Sequence, residues 1–217
     1  MVSEYYYHIF NRGVDHRPTF TSKKEYERAM LSAFYYRNIK PPVKYSNYLK
    51  FSSERRSEFL KDFEKRNEKL VEFVSYSFMP NHFHFLLKQV VDNGIVKFMS
   101  NFQNSYTKYF NIRNERTGPL FTGNFKSVLV ESDSQLIHLT RYIHVNTYAS
   151  GVVNSLEDLI TYPWSSLPEY LGLSKDKFCE KGAALGKFKN VEKYKEFVFD
   201  NADYQKKLKL IKYLALE

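Results

Sequence analysis

"FMPNHFHFLLKQV", residues 78–90, decides how the rest of the chain is read. Two histidines, His82 and His84, stand one phenylalanine apart inside an otherwise almost wholly apolar run. Side chains in a strand alternate with period two, so both imidazoles leave the same face. Pro80-Asn81 marks a turn, and "VEFVSYSFM" (71–79) ahead of it has the composition of a partner strand. The two strands read as a hairpin. Three readings of the imidazoles fit: core histidines with satisfied hydrogen bonds, an RNA-stacking surface, or two ligands of a metal ion.

Outward from the hairpin, "EYYYHIFNRG" (4–13) reads as a first strand and turn. "TSKKEYERAMLSAFYYRN" follows as a helix capped by Thr21 or Ser22, with Tyr26, Met30, Leu31 and Phe34 inward, ending before Pro41-Pro42. "SSERRSEFLKDFEKRNEKL" reads as a second, solvated helix burying Phe59, Leu60 and Phe63. After the hairpin come a long amphipathic helix (94–114), a Gly-punctuated loop (116–125) and a strand (125–132). A helix over 133–150 closes the series, with Asp133 or Ser134 able to cap it and Gly151 past its end. The order β, α, extra α, β, β, α, β, α predicts an α+β sandwich with an antiparallel sheet, the ferredoxin-like or split βαβ arrangement. First and third strands are then central neighbours, which puts the histidine strand in mid-sheet. Residues 168–217 change character: eleven Lys, no Arg, and Leu208, Leu210, Ile211 and Leu214 near the end. That Lys-rich stretch reads as an appended helical tail on a domain of residues 1–167.

The chain's 217 residues suffice for one domain with a full core. A formal charge of +9 together with 18 Tyr and 19 Phe suits a single-stranded nucleic acid, since rings stack on bases while cations track phosphates. The lone Cys179 excludes an internal disulfide and a Cys-based zinc site. Neither a leader nor a run of membrane-spanning length is legible, so a cytoplasmic protein is expected.

Within "RYIHVN", Tyr142 and Asn146 lie four apart, one helical turn from each other on one face. Should that helix pack on the sheet face bearing His82 and His84, two imidazoles, an amide and a phenol converge. Such neutral donors would leave a divalent ion its full charge for a phosphate, and the set suits Mg²⁺ or Mn²⁺, while imidazoles alone also suit Zn²⁺ or Ni²⁺. On spacing alone, Tyr106 and Tyr109 are equally good candidates for a reactive phenol.

"YYHIFNRGVDHRPTF", "SFMPNHFHFLL", "GPLFTGNFKSVLVES", "LTRYIHVNTYASGVV" and "TYPWSS" occur in an order and spacing that resembles the single-tyrosine HUH transposases of the insertion-sequence type, which include the REP-associated tyrosine transposases. The resemblance covers roughly residues 5–166 and leaves the tail aside. It implies that Tyr142 is the nucleophile and that Asn146 completes a metal site with His82 and His84. Many relatives carry Pro after that Asn, where Thr147 stands here. It further implies single-stranded DNA held through a nearby hairpin, attack by the Tyr142 hydroxyl, a free 3′-OH and a 5′-phosphotyrosine bond, with Mg²⁺ or Mn²⁺ as cofactor and a prokaryotic, nucleoid-associated setting. Relatives occur both as homodimers and as monomers. Arg12, Lys126 and Arg141 are weaker candidates for phosphate contacts, and His8 for a partner of the metal histidines. Three alternatives remain: a domesticated DNA-hairpin-binding protein without transposition activity, an RNA-binding ferredoxin-like domain, although the RNP1 pattern is absent, and a basic structural or scaffold protein.

Overall fold

A computed structural model describes residues 3–66, 68–175, 177–200 and 202–207. Its centre is a four-stranded antiparallel sheet in the order β2-β3-β1-β4, built from β1 (Tyr6–Arg12), β2 (Val71–Met79), β3 (His82–Gln89) and β4 (Lys126–Leu129). First and third strands are central neighbours, as the sequence order predicts. The fold is a mixed α+β one. β2 and β3 pair Met79 with His82 across the two-residue Pro80-Asn81 turn.

Alternation gives the sheet two unlike faces. Phe73, Phe78, Phe83 and Phe85 point to the side covered by α4 (Gly94–Arg113), where Phe83 lies 5.5 Å from Phe102 and Phe73 lies 5.5 Å from Phe98. Helix α1 (Lys23–Tyr36) packs beside α4. Helix α5 (Asp133–Ala149) covers the other face, lying on β2 and β3. That face carries His8 and Phe10 from β1, Ser75 and Ser77 from β2, and the two histidines from β3.

Several local expectations need correction. Leu31 is 43% exposed because the inward stripe of α1 runs through Tyr26, Ala29 and Ala33. Leu60 of α3 (Ser53–Arg66) is also exposed, since that helix turns Phe59 and Phe63 against Tyr35 and Tyr48. The latter belongs to a short helix α2 (Tyr45–Tyr48) that lacks any sequence periodicity. Helix α5 is capped by Ser132, whose Oγ accepts from Gln135 N at 3.2 Å, while Asp133 sits in the first turn near the helix's positive end. Strand β4 is only four residues long.

Beyond α5 come α6 (Leu156–Thr161), α7 (Leu167–Tyr170), α8 (Gly182–Leu185) and α9 (Val191–Phe199). The tail packs on the same core. Cys179 bridges to Phe73 in parallel, the Phe178 ring stacks on Phe34 at 3.8 Å, and Tyr194 is fully buried. Much of this packing falls on the side of α5 turned from the site. Tyr194 Oη lies 2.7 Å from His144 Nδ1, Phe197 lies under the Arg141 guanidinium at 4.2 Å, and Tyr148 Oη donates to Asp203 at 2.7 Å. The apolar residues expected near the end of the tail, Leu208, Leu210, Ile211 and Leu214, lie outside the described residues. Among the described residues, no helix is long and apolar enough to cross a membrane.

Candidate functional site

The turn before β3 is held from three directions. Pro80 O accepts from Thr19 N at 2.7 Å and Phe20 N at 2.9 Å, and Asn81 O accepts from Gly13 N at 2.7 Å. Gly13 is needed there, because a Cβ would come within 2.2 Å of Arg17 O. The chain then bends through Asp15 and His16, both left-handed at φ 53° and 57°, a conformation that costs non-glycine residues free energy and collects at functional sites.

That bend orients the first histidine. Asn81 Nδ2 donates to His16 O at 3.1 Å, and a carbonyl can only accept, so Asn81 presents Oδ1 to His82. Asn81 Oδ1 lies 2.6 Å from His82 Nδ1, and that ring nitrogen must therefore carry the proton. In the neutral ring the lone pair then belongs to Nε2. This is how ligating histidines are commonly held: one ring nitrogen hydrogen-bonded, the other offered to the metal.

The second histidine is held by the neighbouring strand. His84 Nδ1 lies 2.9 Å from His8 Nε2, and the two rings stack with centroids 5.1 Å apart. Burial pushes His8 down to about 4, so it is neutral at pH 7, and one ring donates to the other. The rings of His82 and His84 lie 5.2 Å apart. Phe10, opposite His84 in the register, stacks on His84 at 5.6 Å and meets His8 at 4.8 Å.

Helix α5 brings its phenol to the same place. The half-buried Tyr142 ring meets His84 edge-on at 5.6 Å and His8 at 6.2 Å. Asn146, one turn on and fully buried, is hydrogen-bonded to Tyr142 and accepts from Ser150 Oγ at 3.2 Å. Burial raises the Tyr142 pKa, and the Asn146 bond partly offsets that rise. Left alone, the phenol stays protonated at neutral pH. Thr147, where a Pro would remove a backbone donor, is buried inside a helix that continues to Ala149.

His82 opens onto a cleft of about 530 Å³ with Phe10 and Asn81 on its wall and Arg12, His16 and Lys126 around it. Arg12 stands opposite His82 in the register and Lys126 opposite Phe10. Among the described residues neither has an ion-pair partner. Arg141 goes elsewhere: it lies over Phe197, and burial lowers its pKa. Tyr106 is on the opposite side of the sheet, its hydroxyl donating to Thr19 O at 2.6 Å, and burial pushes its pKa far up. Neither Tyr106 nor Arg141 joins the histidine pair.

Among the described residues, no group of three His, Cys, Asp or Glu side chains forms a metal site. An ion here would rest on two imidazoles and an amide. The donor chemistry fits a divalent ion: Asn81 fixes the His82 tautomer that offers Nε2, and His8 can accept from His84 Nδ1 in the matching tautomer. The sequence ties Asn81, with Pro80, to the turn that presents His82, but not to His16 or to the His82 ring. Phe10 had a signal that went unused, since it shares a strand face with His8 and Arg12.

The family model for "Transposase IS200 like" matches residues 43–146, a stretch that holds both histidines and Tyr142 and closes on Asn146. Among solved structures, the chain resembles a REP-associated tyrosine transposase bound to a REP hairpin. The TM-score is 0.51 at 11% identity, over 82% of this chain and 93% of that one. Over residues 43–146 the chain is similar to the IS200-like transposases, and its fold is similar to that of a REP-associated tyrosine transposase. No curated protein matches it. At that identity, the likeness to the solved structure speaks for the fold alone.

Proposed function

We propose that this protein is a metal-dependent single-stranded DNA endonuclease and strand transferase with Tyr142 as its nucleophile, acting in DNA transposition or in mobilising REP-like hairpins. The frame is read as the ferredoxin-like split βαβ form of the HUH endonucleases. On this reading residues 1–167 carry the chemistry and the Lys-rich tail of 168–217 is an addition to it. The supporting observation is the meeting of Tyr142, edge-on to His84 and hydrogen-bonded to Asn146, with the His82/His84 face of β3.

His82, His84 and Asn146 would hold Mg²⁺ or Mn²⁺, which supplies polarisation of the scissile phosphate and favours the ionised phenol. Tyr142 Oη attacks phosphorus in line, the P–O3′ bond breaks, and the departing oxygen takes a proton to become a 3′-OH. The DNA 5′ end stays on Tyr142 as a phosphodiester of similar energy. A second 3′-OH can therefore reverse the step and rejoin strands without ATP. Asn146 holds the phenol in place, while His8 and Asn81 set the two imidazole orientations. The solved relative is bound to a REP hairpin, and a hairpin-bearing single strand is the partner proposed here as well.

The test uses single-stranded oligonucleotides from the flanks of the protein's own gene, with Mg²⁺ or Mn²⁺, resolved on a denaturing gel. A covalent protein–DNA adduct is expected from the wild type and none from Tyr142→Phe or His82→Ala. An adduct that survives Tyr142→Phe assigns the nucleophile wrongly. Hairpin binding with no adduct under either metal points instead to a domesticated hairpin-binding protein.

A further inference from the structure

The cleft beside His82 has a feature that the cleavage chemistry does not require. Phe10 is backed by His8 and His84, so its ring is braced from within the sheet while it also forms cleft wall. The residue is half-buried. Elsewhere the sheet's phenylalanines, Phe73, Phe78, Phe83 and Phe85, are wholly buried in the α4 core. Two cations flank this ring. Arg12 is two residues along the same strand, roughly 6.8 Å away at the Cα, and Lys126 is its direct partner on β4, about 4.5–5.5 Å across. Among the described residues, no carboxylate lines the cleft.

A braced ring between two cations suits an unpaired nucleotide, because every base has a π-face to stack and every phosphate a charge to be met. The cleft's volume of about 530 Å³ falls within the roughly 300–1,000 Å³ usual for small-ligand sites. A ring seated on the sheet surface cannot enter the groove of a duplex. The partner must offer a base that is already free.

We propose that this cleft is a one-nucleotide subsite: an unpaired deoxynucleotide flanking the scissile phosphate places its base on Phe10 and its phosphates between Arg12 and Lys126. The subsite deepens the nuclease reading and rests on it for the position of the scissile phosphate. Its role is positioning and selection, since a strand anchored here presents the next phosphate to Tyr142, which shares His84 as a neighbour with Phe10.

The test measures binding in EDTA, so that no cleavage intervenes. A labelled single-stranded oligonucleotide from the gene's flanks is scanned with abasic substitutions, one position at a time, against wild type, Phe10→Leu and Phe10→Tyr. In the wild type, one position is expected to lose about 5- to 150-fold in affinity, the equivalent of one aromatic–base stack. Phe10→Tyr should keep that penalty and Phe10→Leu should abolish it, a coupling that a general loss of folding would not produce. Arg12→Gln and Lys126→Gln should each reduce the salt slope of log K by about 0.7. Equal abasic penalties in wild type and Phe10→Leu would overturn the subsite. If adducts form without this coupling, the subsite falls and the nuclease reading stands; coupling without any adduct does the reverse.

Discussion

The two faces of the sheet are built from the same strands and do opposite things. On the α4 side, β3 contributes Phe83 and Phe85 to a dry aromatic core with Phe98 and Phe102, whose rings lie 4.5–6.2 Å apart. On the α5 side the alternate residues of β3 are His82 and His84, opposite Arg12 and Phe10. One face stabilises by removing apolar surface from water. The other gives up that gain and gathers imidazoles, a phenol and an amide, each hydrogen-bonded, with His82 opening onto a cleft. Adjacent positions of one strand thus divide between holding the fold and forming the proposed site.

The two faces part most sharply at neighbouring residues. Phe85→Ala should cost about 3–5 kcal/mol, because it leaves a cavity in a core that α4 cannot collapse to fill. His84→Ala should cost less, about 1–3 kcal/mol, mainly from the lost partner of His8, yet abolish adduct formation. Urea midpoints beside adduct yields separate the two. A His84→Ala protein with wild-type adduct yield would remove the histidine face from the chemistry.

Buried imidazoles also differ on the two sides of α5, and pH sharpens that contrast. His144 lies in the back of the helix, fully buried. Ser166 Oγ donates to Tyr76 O and accepts from Tyr76 N, so it can only accept from His144 Nε2, 2.8 Å away. Nδ1 then takes the Tyr194 hydroxyl. Both ring nitrogens are satisfied in the neutral form, and burial lowers the pKa to about 3. The unfolded chain binds a proton near 6.5 and the folded one does not. Stability is therefore unaffected above pH 6.5 and falls as pH drops from about 6.5 toward about 3, by up to ~1.4 kcal/mol per unit. His144→Gln should flatten that part of the acid-unfolding curve. An unchanged slope would mean that His144 is protonated in the fold.

How much of this was legible depended on whether the information was periodic. The β2–β3 hairpin and helices α4 and α5 came within a residue or two of their observed bounds, because alternation and 3.6-residue spacing are written into 71–79, 82–89, 94–113 and 133–149. Spacing put Tyr142 and Asn146 on one face of α5, but only tertiary packing decides that this face meets the histidines. The tail's sequence suggests helices, whereas residues around Cys179 run alongside β2 and stack Phe178 on Phe34, contacts with no local pattern behind them. The relay from His16 O through Asn81 to His82 was equally hidden. It depends on two left-handed residues 66 and 65 positions before the turn they support.

The smallest effect separates two tyrosines that spacing made equivalent. Tyr106 and Tyr142 both sit on helices packed against the sheet, and burial raises the pKa of both. Their partners differ. The Tyr106 hydroxyl is spent on a backbone carbonyl, Thr19 O, amid Phe20, Phe102 and Phe121, where neither a phosphate nor a cation could follow it without dismantling the core. Tyr142 bonds a side-chain amide beside two histidines. Tyr106→Phe should keep full adduct yield and cost about 1 kcal/mol, the net worth of one hydrogen bond in a ring that otherwise still fits. Adduct loss in Tyr106→Phe, with its urea midpoint little changed, would mean that the aromatic side of the sheet reaches the chemistry after all.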